Sequence, residues 1–448
     1  MAVLTALVFA SCGGDDSNNQ ASGDTSGGGE PVTLTLWTEW SQEPYKPWSE
    51  EILKRFEAEH PNITIEHRAI ENEQFFTVLR TGMSSGKPPD LIQTEANDNL
   101  FQFVRSDQIE DVSDWYRADP ANADRFLPGT VEAVTYDGKQ YGVPLDVATG
   151  SQIYYNRRVL EENGIDPATL TTWDDMVDAF AKLKAAGVTP AALGNKPGWP
   201  GEHWTVPLMI RSAGAEKVNQ LLARNCGYKW TDPDIVEGAQ LFADMVENGY
   251  FSEGVASDDY PQGQALFFAG KTGFYQTGSW LPGIAAATAP PGFELGVLKF
   301  PEVPGGSGTL DENLVSVVGS ISVSKKAAAD PAKREAALEF MNWMTERRQQ
   351  EFTQRTVGAI RSTKGATNAD TADPLTLQML QEQVETSTGT VPYAALVLPK
   401  TVGEDKLWTG STAVAARQID AQTWMERVEA EAAKQDPVYK LEPKCSNS

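Results

Sequence analysis

The chain has 448 residues, with 37 basic against 62 acidic side chains, a net charge of −25, and 40% hydrophobic and 9% aromatic residues. At roughly 100–200 residues per domain this implies two to four cores, or two large interlaced lobes, with enough apolar material to bury them. The acidic balance excludes nucleic acid and anionic lipid as direct partners, no run of about 18 apolar residues spans a membrane, and three histidines with three cysteines leave little for a metal cage.

Residues 2–10 (AVLTALVFA) form a short apolar run that ends in small residues, followed by Ser11-Cys12-Gly13-Gly14 and a polar, small-residue stretch to residue 31. The run reads as a secretory leader and the stretch as a flexible linker. Cysteine directly after the run resembles the bacterial lipoprotein box, which makes Cys12 the expected lipidation site. Phe9 stands where that box usually carries Leu, and no Lys or Arg precedes the run. A frayed tail with an incidental cysteine is the plainer alternative. Export would place Cys226 and Cys445 in an oxidising space, where a disulfide between them would staple the C-terminal tail to the middle of the chain; two free thiols remain the other possibility.

Residues 32–37 alternate like a strand, residues 48–60 carry a helical apolar stripe that stops before Pro61, and residues 63–65 read as a second strand. Phe75, Phe76, Leu79 and Met83 mark another helix, and residues 90–94 a third strand. This alternation predicts an α/β fold with a mostly parallel sheet. Residues 142–156 are extended, and Thr172 with Asp175 forms a capping box that opens a helix ended by Gly187. Further helices are expected over 232–248, 331–345 and 411–434, with a long strand over 314–324. Trp48, Trp173, Trp343 and Trp424 sit on these helices as core packing.

Two motifs fail on context. Gly82-Met83-Ser84-Ser85-Gly86 matches a nucleophile elbow, but a helix precedes it and Lys87-Pro88-Pro89 follows. Gly270-Lys271-Thr272 lacks the first glycine and the strand of a P-loop. His60, His67 and His203 are too scattered for zinc, and no C-x-x-C exists. No metal or cofactor is expected. Carboxylate pairs that could serve a glycoside hydrolase are too common among 62 acids to count as evidence.

Ligands of open α/β sheets bind beyond the carboxyl ends of strands. Three such ends carry aromatics or acids: Trp37–Trp40, Glu95 to Asp98, and Trp280 after GFYQT; residues 199–204 read as a Gly/Pro-rich loop with two more tryptophans. Flat indoles suit the C–H faces of a sugar and carboxylates its hydroxyls, although a cation would use the same residues.

Taken together, VTLTLWTEW, FEAEHPNITIE, GKPPDLIQTEAND, DGKQYGVPLDVATGSQIYYN, TTWDDMVDAFAKLKAAG and FFAGKTGFYQTGSW, in this order, resemble the extracellular solute-binding proteins (sugar-binding class) of ATP-binding-cassette importers. The resemblance implies a non-enzymatic, two-lobe periplasmic-binding-protein-like fold with the ligand clamped between lobes. The lobes would comprise residues 32–150 with 314–362, and 151–313 with 363–448, after a leader (1–12) and linker (13–31). Crossings fall near 151–156, 310–316 and 360–364. It implies a monomeric, lipid-anchored receptor at the outer face of the cell membrane, handing a sugar to permease subunits. Expected ligand contacts are Glu39, Trp40, Glu95, Asp98, Asp146, Trp199, His203, Trp204, Trp280, Glu312, Asn313 and Arg361, the last at a place where the family usually has proline. A polyol, sugar phosphate or other osmolyte is the alternative ligand, with phosphate disfavoured by the acidic pocket; a secreted glycoside hydrolase is the alternative class.

Overall fold

The structure, a computed structural model, describes residues 30–445, so Cys12, the expected leader and most of the linker lie outside the described residues. In chain order the strands are β1 (Val32–Thr38), β2 (Ile63–Ala69), β3 (Leu91–Thr94), β4 (Thr135–Tyr136), β5 (Lys139–Gln140), β6 (Val143–Thr149), β7 (Gln152–Asn156), β8 (Thr189–Ala192), β9 (Thr272–Tyr275), β10 (Leu295–Lys299), β11 (Glu312–Val323) and β12 (Gly389–Val391).

The first lobe is built on the order β12-β11-β3-β1-β2, with β6 also paired to β11. β1 runs parallel to β2 and β3, while β11 is antiparallel to β3 and β6. The alternation read in β1 is the pleat itself: Leu34 and Leu36 are buried, and Thr35 between them is only half-buried. Helix Tyr45–Glu59 turns Trp48, Ile52 and Phe56, four residues apart, onto this sheet. Phe56 meets Phe340 and Trp343 edge-on from helix Pro331–Met344.

The second lobe carries the sheet β10-β7-β9-β8. Helix Trp173–Ala185 opens with the expected capping box between Thr172 and Asp175, and Trp173, Trp204 and Trp424 join its core. Two expectations change. Residues 411–434 are broken into Thr409–Ala415 and Ala421–Ala432, because Arg417 takes a left-handed φ of 57° and Asp420 caps a fresh start at Thr423. Residues 199–204 are not a loop but the first turns of helix Trp199–Ala213; proline is tolerated there because first-turn N–H groups have no intrahelical partner.

The extended run 142–156 splits at Gly150–Ser151, β6 staying in the first sheet and β7 entering the second. β11 crosses beside it: β12 pairs its first residues, β6 and β3 its later ones. A third segment adds to the edge of β6, where Ile360 accepts from Val147 and Leu145 accepts from Ser362. Thr363, Lys364 and Thr367 still bond to Thr345, Arg125 and Gln354 of the first lobe, so the chain leaves that lobe after Thr367 rather than at residue 363.

Candidate ligand-binding cleft

The second lobe supplies an aromatic wall. Trp280 follows β9, and a Cβ on Gly278 would come within 2.1 Å of its ring, so the Gly-Ser-Trp order lets the indole fold back over the chain. Its Nε1 donates to the Tyr260 hydroxyl at 2.9 Å. Trp199 lies 4.6 Å from Tyr260, and His203, one turn along the same helix, lies 5.4 Å from Trp199 and 5.5 Å from Trp280. Burial pushes the His203 imidazole down to about 3, so it is neutral at physiological pH. Its Nδ1 has no hydrogen-bond partner among the described residues. Trp199, Tyr260 and Trp280 remain partly exposed.

The first lobe supplies carboxyl groups. Glu39 follows β1 and accepts from Gln93 at 3.2 Å and Asn72 at 2.8 Å. Burial pushes its carboxyl up to about 7, with Asp146 adding repulsion. Glu95 follows β3, accepts from Asn99 and is pushed up to about 8, chiefly by burial and then by Glu39. Asp146, on β6, is ion-paired to Arg361 of the third crossing. Burial raises the Tyr45 hydroxyl, which also responds to Asp146, Arg361 and Glu39 of its own lobe and to Tyr260 of the other. Glu95 in turn responds to Glu202 and Glu404 of the second lobe. The two walls therefore face each other.

Direct contacts close the gap. Arg80 of the first lobe meets Glu404 of the second at 2.8 Å. Beside Trp280, Gly283 packs on Val357 and Gly358 so tightly that a Cβ there would lie 1.9 Å from the Val357 carbonyl oxygen.

Of the twelve sequence-derived candidates, Glu39, Glu95, Asp146, Trp199, His203, Trp280 and Arg361 come together here. Arg361 is 1% exposed and held by Asp146 and Gln350, so its guanidinium orients Asp146 rather than reaching out freely. Five are placed elsewhere. Trp40 is 3% exposed, edge-on to Trp48 at 4.7 Å in the first core. Trp204 is fully buried in the second core, because the helix that turns Trp199 and His203 to the cleft turns Trp204 inward. Asp98 pairs with Arg105 and lines a separate 670 Å³ cavity. Asn313 spends its amide on Ser387, and Glu312 accepts from the Thr309 N–H, both at the second-lobe end of β11.

Sequence reasoning missed Tyr45, Tyr260, Glu202, Tyr393 and Trp408. Glu202 is buried and accepts from Trp408 Nε1 at 2.5 Å and Ala395 N–H at 3.1 Å, fixing residues 394–408 against the helix that carries Trp199. Tyr260 had a legible signal: Asp259 and Gln262 form a capping box that places it at a helix start. The others lie in segments without a motif. No group of His, Cys, Asp and Glu among the described residues could hold a metal ion.

The family model of the bacterial extracellular solute-binding protein matches residues 39–351. An ABC transporter extracellular-binding protein of Pyrococcus horikoshii is 24% identical over 399 residues, 88% of this chain and 85% of that protein. The multiple sugar-binding protein of Streptococcus mutans is 26% identical over 306 residues, 66% of this chain and 67% of its own. Among solved structures, one from work on xylan utilization by the thermophilic bacterium Caldanaerobius polysaccharolyticus superposes with a TM-score of 0.81 at 25% identity, covering 89% of this chain and 99% of that one. A chitin oligosaccharide binding protein superposes at 0.82 with 23% identity, covering 91% of this chain and all of the other.

Proposed function

This chain belongs to the bacterial extracellular solute-binding proteins, and from that premise we propose that it is the carbohydrate receptor of an ABC importer. It captures a mono- or oligosaccharide between its lobes and delivers it to the membrane permease, making and breaking no covalent bond. The observation that carries the reading is the opposition of an aromatic wall (Trp199, Tyr260, Trp280) to hydrogen-bonding carboxyl groups (Glu39, Glu95, Asp146). Indoles cover the C–H face of a pyranose while each carboxylate accepts from a hydroxyl. Hydrogen bonds to charged groups contribute about 1.5–3 kcal/mol each, and micromolar binding needs about 8 kcal/mol, so a few such bonds with one or two stacked rings suffice. The ligand bridges the walls only when they are together, so binding and closure are one equilibrium.

Cys12 carries the lipid that holds the receptor at the outer membrane face, residues 13–31 are its tether, and the folded part acts as a monomer. We take Cys226 and Cys445, 219 residues apart in sequence, to form a disulfide that fastens the tail to the second lobe, a reading supported by the placement of the two side chains side by side. Radiolabelled fatty acid fed to expressing cells is expected to label the wild type and not Cys12→Ala.

A thermal-shift panel of mono- and oligosaccharides tests the main reading. At least one neutral sugar is expected to raise the melting temperature, as mass action requires of a ligand that binds only the folded state, and Trp280→Ala to abolish the rise. A panel with no rise, or equal rises in both proteins, contradicts it.

A further inference from the structure

Charge in the cleft does not balance among the described residues. β1 and β3 lie side by side in parallel, so Glu39 and Glu95 follow their carboxyl ends at one edge of the sheet. Both are half-buried. Glu39 accepts from the amides of Gln93 and Asn72, and Glu95 from that of Asn99. An amide supplies a donor but no charge. The cations nearby are already spent, Arg361 on Asp146 and Arg80 on Glu404. On the facing lobe Glu202 is one more carboxyl held by N–H groups, those of Trp408 and Ala395, and by no cation among the described residues.

The second lobe asks for the same kind of guest. His203 is 3% exposed and faces Trp199 and Trp280, and its Nδ1 has no partner among the described residues. With the ring hydrogen on Nε2, that nitrogen is an open acceptor. The aromatic faces of Trp199, Tyr260 and Trp280 attract a cation taken out of water. A hydroxyl satisfies an acceptor but leaves the charge of a buried carboxylate uncompensated, which is costly. A neutral guest therefore leaves protons on the Glu39–Glu95 pair, whereas a cation favours the ionised form.

Building on the carbohydrate reading above, we propose that the preferred ligand is an amino sugar whose ammonium donates to Glu95 beside Glu39, with its ring on Trp280 and its hydroxyls on Glu39 and Asp146. A primary ammonium brings three N–H donors together with the missing positive charge. As it enters, a proton held by the carboxyl pair passes to solvent, and the ionised pair becomes the counter-ion of the ammonium. The aromatic wall serves both parts of such a ligand, since it covers the C–H face of the ring and favours the charge attached to it.

The test is calorimetric titration of the folded full chain at about pH 6, where the amine is charged and the carboxyl pair still holds protons. The probes are glucosamine, galactosamine and the glucosamine disaccharide, each beside its hydroxyl and N-acetyl counterparts, with choline as a cation that has no N–H. At least one amine is expected to bind about tenfold tighter than both counterparts, the lower end of a charged hydrogen bond's contribution. Its binding should release about one proton, read as a difference in heat between buffers of unlike ionisation enthalpy. Glu39→Gln/Glu95→Gln is expected to remove both the preference and the release; if that variant fails to fold, proton release by the wild type still decides. Hydroxyl or N-acetyl sugars that bind as tightly as every amine would overturn the amino-sugar assignment and leave the carbohydrate receptor standing. A preference without proton release, or choline binding as tightly as the best amine, would overturn the assignment too. No binding by any sugar, charged or neutral, would overturn both readings.

Discussion

The two walls of the cleft are built on opposite terms. On the second lobe, Trp280 donates to Tyr260, Tyr260 lies 3.3 Å from the Thr277 hydroxyl, and Trp199 and His203 pack beside them. That wall is assembled and neutral before any ligand arrives. On the first lobe, Glu39 and Glu95 accept from side-chain amides, no cation pairs with them among the described residues, and burial raises both carboxyls. Only Asp146 has its guanidinium. One wall is preorganised for shape; the other holds acceptors at a cost in stability, offset when hydroxyls arrive to donate.

If the aromatic wall is the anchor, Trp280→Ala should weaken sugar affinity by roughly thirtyfold, as loss of a central anchor does, with the fold retained; calorimetric titration reads the affinity and circular dichroism the fold. Gly283→Ala tests whether the walls must meet. Its new methyl would collide with the Val357 carbonyl, 1.9 Å from where it would sit, and holding the lobes apart is expected to weaken affinity about tenfold while the open-state melting temperature stays near wild type. Small-angle scattering should then show no compaction on adding sugar.

Glu39→Gln keeps the shape and removes the charge. Affinity is expected to fall about tenfold, the lower end of a charged hydrogen bond's contribution. The smallest effect concerns pH without ligand. Folded Glu39 and Glu95 titrate at about 7 and about 8 against an ordinary 4.5, so the native state holds more protons between those values. Stability must then be greatest below the ordinary value and fall as pH rises through 7 to 8. The melting temperature of the double variant Glu39→Gln/Glu95→Gln should fall less over that window than that of the wild type, and parallel curves would show that the carboxyls carry no such penalty.

Much of the fold was legible because period and punctuation are local. β1, helix Tyr45–Glu59 before Pro61 and the Thr172–Asp175 cap each follow from a few neighbouring residues. Where a side chain points was less legible. Trp40 and Trp204 lie one and five residues from cleft groups Glu39 and Trp199, yet both face cores, since one residue reverses direction along a strand-like segment and five advance a helix past a full turn. Tyr393 and Trp408 come from the far end of the chain and reach the cleft only through buried Glu202 and the Thr149 carbonyl, contacts that no spacing encodes. The break at Arg417 was invisible because nothing in its residue type demands a positive φ.

Two hollows between the lobes compete as the place where sugar sits, and a crystal structure with the sugar chosen by the thermal-shift panel decides between them. The account predicts a sugar ring against Trp280, with hydroxyls donating to Glu39 and Asp146. A sugar lodged instead behind the hinge strands against Val147 and Val317, with Trp280 and Glu39 untouched, would contradict it.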